Sequence, residues 1–268
     1  MPVDVRYYTD PACSWSWGSE PKLRRLMWEF GDQLRFTWVM GGLARSYGPD
    51  DYPEQTMQWL EATAESGMPT DPRLWSRNPI ASTYPLCQAA KAAAEQGPDA
   101  TYRYLRRLRE GLMTELKKLD HAEALIWEAG MAGLDPERFR IDLSSNAITE
   151  AFAADLEEAR NPPEGHERPA LPSALFRGQD GSVRGVWGWS PYEAYRDAAS
   201  ACGARLERPS PPGVVAAIER FGRCATKELE ELTGRPNPVL QAELWGLARE
   251  WRLRAAPVLG GTFWELAG

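Results

Sequence analysis

The residues best equipped for chemistry are Cys13 and its neighbours, in the run Asp10-Pro11-Ala12-Cys13-Ser14-Trp15-Ser16-Trp17-Gly18. A cysteine attacks other groups as its thiolate, so its surroundings decide whether it can react near neutral pH. Upstream, Val3 and Val5 alternate with Asp4 and Arg6 before Tyr7 and Tyr8, the period of a strand rich in β-formers. Asp10-Pro11 is a turn pair that stops the strand. Downstream, Leu23, Leu26, Met27 and Phe30 recur at helical spacing. Cys13 is therefore predicted at a strand-to-helix junction, where unpaired amides and the helix dipole favour a thiolate. The expectation is a lowered-pKa thiol that attacks a disulfide or an activated sulfur.

The elements that must position it follow from periodicity. A second strand is predicted over 34–40, ended by Gly41-Gly42. Strand, helix and strand make a parallel βαβ unit with a right-handed crossover, and Cys13 falls at the carboxyl end of its first strand. Helical patterns then run over 53–68, with Met57, Leu60 and Ala64 on one face, and over 84–96, 102–113, 122–130, 136–143 and 148–160. A loop is expected at 161–165. Two strands follow, over 170–177 and 183–189, joined at Asp180-Gly181. Ser190-Pro191-Tyr192-Glu193 has the form of a capping box opening a helix to about 204. The run 208–213, rich in proline, is the clearest linker. Beyond it, helices over 214–221, 226–232 and 238–251 and a hairpin over 253–266 make a small winged-helix-like unit.

Asp-Pro-x-Cys-x-x-x-Trp, after an N-terminal strand and before a helix, resembles the active-site segment of the DsbA-like branch of the thioredoxin superfamily. The resemblance covers roughly the first three quarters of the chain. It implies an α/β thioredoxin-like domain at 1–207 with a helical insertion at about 44–160, followed by the small module at 208–268. The branch usually carries Cys-x-x-Cys, in which the first cysteine attacks and the second resolves the mixed disulfide. Here Ser16 stands at the second position. The resemblance also implies a cis peptide bond at a proline beside the active cysteine, and Pro172 is the matching position, with Leu171 before it. Its backbone groups would pair with an extended peptide or thiol ligand.

On that reading Cys13, Ser16 and Pro172 form the catalytic set. Ser14, Trp15, Trp17 and Leu171 would meet substrate, although one of the two tryptophans is expected to pack beneath the helix. No bound cofactor is implied. Glutathione, another small thiol or a second protein would supply the resolving thiol, and Cys87 would serve if the helical insertion brought it close. The substrate would be a protein or small-molecule disulfide.

Charge and composition narrow the classes. The chain has 268 residues and a net charge of −7, which argues against bulk attraction to nucleic acid or an anionic membrane. Residues 208–268 hold eight Lys/Arg and seven Asp/Glu, too balanced for a nucleic-acid-reading face. This module is expected to dock on the main domain or on a partner protein. No apolar run is long enough to span a bilayer. Cys13, Cys87, Cys202 and Cys224 are dispersed, and with only His121 and His166 besides, a zinc site is not expected. Dispersed thiols without a visible secretory leader point to a reducing cytoplasm. His121, after Asp120 at a helix start, is expected to cap, and His166 and Arg77-Asn78 to lie in solvated loops. Arg106, Arg107 and Arg109, on a helix with Glu110, are expected on a solvated face.

Two functional classes result. One is a cytoplasmic thiol–disulfide oxidoreductase or isomerase acting through Cys13. The other is a non-catalytic adaptor similar to the Clp-protease adaptor group of this superfamily (SpxH type), whose members have a similar Asp-Pro opening and variable cysteines. A DNA-binding regulator using the C-terminal module is the weakest reading.

Overall fold

A computed structural model describes residues 2–161, 169–208 and 210–268. His166 and most of the expected loop at 161–165 lie outside the described residues, as does Pro209 of the expected linker.

The alternation at the N-terminus forms β1 (Val3–Thr9), followed by α1 (Ser14–Gly18), α2 (Glu20–Phe30) and β2 (Leu34–Met40). β1 and β2 pair in parallel, with Val5 opposite Phe36 and Tyr7 opposite Trp38. The helical block comprises α3 (Tyr52–Ser66), α4 (Leu74–Arg77), α5 (Tyr84–Ala94), α6 (Ala100–Glu115), α7 (Ala122–Met131), α8 (Pro136–Leu143) and α9 (Asn146–Arg160). The chain then returns to the sheet through β3 (Ser173–Arg177) and β4 (Val183–Val186), with α10 (Tyr192–Ala201) after them. β3 runs antiparallel to β1, giving the order β2-β1-β3-β4. This is a thioredoxin-like sheet with a helical insertion, and β1 is an inner strand whose carboxyl end delivers Cys13.

The three largest apolar cores among the described residues hold it together. Val3, Val5 and Tyr7 pack with Leu23, Leu26 and Phe30 of α2 and with Tyr195 and Ala199 of α10. The insertion has its own core around Trp59, Trp75, Tyr104, Leu108 and Phe139. A third core is built from α11 (Val214–Phe221), β5 (Cys224–Ala225), α12 (Thr226–Thr233), α13 (Asn237–Arg249), β6 (Leu253–Val258) and β7 (Gly261–Leu266). Each buried leucine or isoleucine here contributes about 1.5–3 kcal/mol relative to exposure. These last elements match the three helices and hairpin expected. β5, two residues long and too short to show a period, completes a sheet of order β5-β7-β6. Ala225 and Phe263 turn away from this third core and join that of the insertion, with the Phe263 ring 6.2 Å from Trp17.

Several local expectations need correction. The apolar stripe Met57, Leu60 and Ala64 of α3 faces outward, and Trp59, Ala62 and Ser66 are its buried residues. α10 opens without the predicted capping box. Pro191 is its N-cap, no side chain caps the helix, and Ser190 Oγ donates instead to Trp187 O at 3.2 Å.

The largest correction concerns Arg106, Arg107 and Arg109. The side chains of Arg106 and Arg109 reach carboxylates of α2 and α12 instead of solvent. Arg109 is fully buried, paired with the carboxylate of Glu20, and donates to Thr9 Oγ1 at 2.5 Å. Arg106 lies 4.6 Å over the Trp17 ring and binds Glu228 at 2.6 Å and Glu110 at 2.7 Å. Arg24 reaches Glu228 at 3.1 Å, and the half-buried Arg107 meets Glu115 and Glu128. Arg24, Arg106 and Arg109 thus face Glu20, Glu110 and Glu228, so the buried charges balance. A lone charge buried there would cost several kcal/mol.

Candidate active-site segment around Cys13

After β1 the chain turns on Asp10, whose carboxylate accepts from Ala12 N at 2.8 Å and whose carbonyl accepts from Cys13 N at 3.2 Å. Cys13 is then the N-cap of α1, and its Sγ accepts the Ser16 N–H at 3.4 Å. On the other side stands Leu171-Pro172, whose peptide bond is cis. The Cys13 thiol donates to Leu171 O at 3.6 Å. The Leu171 side chain closes on Gly41, where a Cβ would come within 2.8 Å of Leu171 Cδ1. β1, the end of β2 and the entry to β3 thereby converge on one sulfur.

The expected thiolate does not follow. Burial pushes the Cys13 thiol up, and the nearby Asp10 charge adds to that. Hydrogen bonding from Ser16 and the charge of Arg109 pull down without reversing it. The sulfur's residue is only 5% exposed, and α1 is a five-residue helix broken at Ser19, so it supplies little dipole. α3 lies over the site. Gln55, Gln58 and Trp59 border a cavity of about 80 Å³ beside the sulfur. Ligand pockets for drug-sized molecules run to roughly 300 Å³ or more.

The remaining predicted residues divide. Ser14 is buried and donates to Gln58 O at 3.4 Å, tying α1 to α3. Ser16 is buried next to the Cys13 sulfur, to which its backbone N–H donates. Pro172 is buried beside Cys13. Trp15 is half-buried and packs on Trp189 at 5.5 Å, so it can border a ligand. Trp17 cannot. It is fully buried, donates to Pro69 O at 2.9 Å, and lies beneath Arg106. Cys87 points its thiol at Asp10 Oδ2, 3.3 Å away, and burial raises its pKa well above the ordinary thiol range. All four cysteines are buried and unpaired. His121 caps α7 through Nδ1, as expected, and Asn78 donates to Leu116 O.

Asp10 escaped the sequence reading as more than a turn residue. Fully buried, it also accepts from Leu43 N at 2.7 Å and Thr83 Oγ1 at 2.9 Å, joining the end of β1 to the loop after β2 and the start of α5. Among the described residues no group of three His, Cys, Asp or Glu could hold a metal ion, and no helix is long and apolar enough to cross a membrane.

A family model described as thioredoxin matches residues 7–193. The chain belongs to the thioredoxin family. Its solved structural neighbours share that fold. The cytosolic disulfide reductase DsbM of Pseudomonas aeruginosa superposes with a TM-score of 0.59 at 18% identity, over 72% of this chain and 97% of that one. A disulfide-isomerase candidate from Nitrosomonas europaea gives 0.66 at 17%, over 75% and 97%. These likenesses speak to fold. They leave about a quarter of this chain uncovered. A relative in Halalkalibacterium halodurans, named ClpXP adapter protein SpxH, is 27% identical over 98% of this chain and 89% of its own length. That match takes in the C-terminal elements as well.

Proposed function

We propose that this chain is a protein-binding adaptor that delivers a partner to a ClpXP-type protease in the cytoplasm. The observation that carries the reading is the closed state of Cys13. The thiol is buried, raised in pKa, faces a cavity of about 80 Å³ and lacks a resolving cysteine at Ser16. A turnover site needs access and thiolate, and this one has little of either. The similarity to SpxH proteins along nearly the whole chain supports the same reading.

One observation favours a second reading. The cis Leu171-Pro172 bond and the Leu171 carbonyl 3.6 Å from Sγ retain the geometry of a thiol-exchange site. If α3 moved aside, Cys13 would form a mixed disulfide with a protein or small disulfide, and glutathione or another small thiol would resolve it.

Degradation assays separate the two. Host ClpXP is incubated with a protein that co-purifies with this chain, with and without the full chain. The adaptor reading predicts several-fold faster loss with the chain, and the same acceleration with Cys13→Ser. No acceleration, together with Cys13-dependent reduction of disulfide substrates, would favour the enzyme.

A further inference from the structure

The outer edge of β2 opens on a groove of about 540 Å³ that neither reading uses. β2 is the end strand of its sheet. Gly41 N–H points inward to Thr9 O at 2.8 Å, whereas Met40 N–H points outward to Asp155 at 2.9 Å. Backbone direction alternates along a strand, so Trp38 and Phe36 also present their amide and carbonyl outward. Asp155 of α9 covers the Met40 end. No hydrogen-bond partner meets the Phe36 and Trp38 amides among the described residues, and such an edge accepts an added strand.

The groove has a distinct chemistry. Phe36 stacks on Trp38 and Trp38 on Tyr102, each pair 5.5 Å apart and near parallel. Exposed Arg103 and Arg220 line the groove, against one exposed carboxylate, Asp99, and exposed Arg35 borders it at the strand edge, its side chain on the sheet face of Asp4. Arg35 has only a loose contact to Asp4, at 3.8 Å. The three arginines come from the sheet, the insertion and the C-terminal elements, and they concentrate positive charge on a chain of net −7.

We propose that this groove docks an extended acidic segment of a partner protein. The segment adds a strand to β2 at Phe36 and Trp38 and lays an aromatic or aliphatic side chain on the stacked rings. Its carboxylates sit among Arg35, Arg103 and Arg220. The inference rests on the adaptor reading and names the surface and the chemistry of what it holds.

The test uses the full chain and a fluorescein-labelled peptide, Gly-Asp-Glu-Asp-Phe-Glu-Asp-Leu-Glu-amide, followed by anisotropy. The expected result is saturable binding, weakened about tenfold or more by the triple reversal Arg35→Glu, Arg103→Glu, Arg220→Glu, and similarly by N-methylation of alternate peptide amides. A lysine-for-acid version of the peptide should not bind. These arginines are on the surface, and circular dichroism of the triple variant checks that it folds. Absence of binding, equal binding by the triple variant, or displacement of the peptide by a short oligothymidine that binds more tightly would overturn the proposal. In the ClpXP assay, acceleration by both wild type and triple variant would sink the groove and leave the adaptor reading standing. Acceleration by neither would sink the adaptor reading itself.

Discussion

Cys13 has the position of an attacking thiol and the environment of a core residue. Its sulfur caps a helix and sits beside a cis-proline, yet burial outweighs the hydrogen bonding from Ser16 and raises the thiol's pKa. Cys87 and Cys224 share this condition, the latter pushed up to about 11 mainly by burial. Each thiol has a folded pKa above its unfolded one, so its contribution to stability is complete below the unfolded value of about 8.5 and fades as pH rises through the folded value. Urea midpoints are therefore expected to fall between pH 8 and pH 10.5. Cys87→Ala should shrink that fall, and an unchanged fall would show that the thiols are not its cause.

At the scale of elements, the buried arginine–glutamate network fastens α6 to α2 and α12. Truncating one partner leaves a buried charge uncompensated. Glu228→Ala is expected to cost about 3–5 kcal/mol in urea unfolding. The exposed pair Arg140 and Glu123 should be removable with no measurable change. At the edge of the network, burial would raise Glu115, but hydrogen bonding and charge from Arg107, then Lys117, hold it at about 2. This group stabilises the fold above its unfolded pKa near 4.5, and that stability is lost as pH falls toward 2. Glu115→Gln should flatten the acid limb of the stability profile.

The same elements show what the sequence could and could not disclose. Strand and helix periods predicted β1, β2 and nearly all of the helices, because each buries one face. The strand-to-helix position of Cys13 was legible from the residues around it, and the cis bond at Pro172 only from the resemblance. The burial of Glu20 and Arg109 has a signal in their spacing. Glu20 lies one turn before Leu23 on the apolar stripe of α2, and Arg109 lies at i+4 from Leu105 on that of α6. Charge alone assigned Arg109 to water. The outward turn of Met57 and Leu60, the lid position of α3 and the hub at Asp10 depend on contacts distant in sequence, which no local period encodes.

At the scale of the whole molecule, Phe263 and Ala225 place the C-terminal elements in the core of the helical insertion. Phe263→Ala is expected to cost about 3–5 kcal/mol and to lower the stability of the insertion along with that of the C-terminal sheet. Hydrogen exchange would read this as faster opening of both α6 and β7. Faster exchange confined to β5, β6 and β7 would mean that the two regions are not energetically joined.

The most direct test of the account is the alkylation rate of Cys13 against pH, resolved by mass spectrometry of the native wild-type chain. The account predicts slow alkylation at neutral pH, with a midpoint above the roughly 8.5 of a free thiol. Rapid alkylation at pH 7 with a midpoint well below that value would contradict it, since Cys13 would then be an open, activated nucleophile and the chain an enzyme.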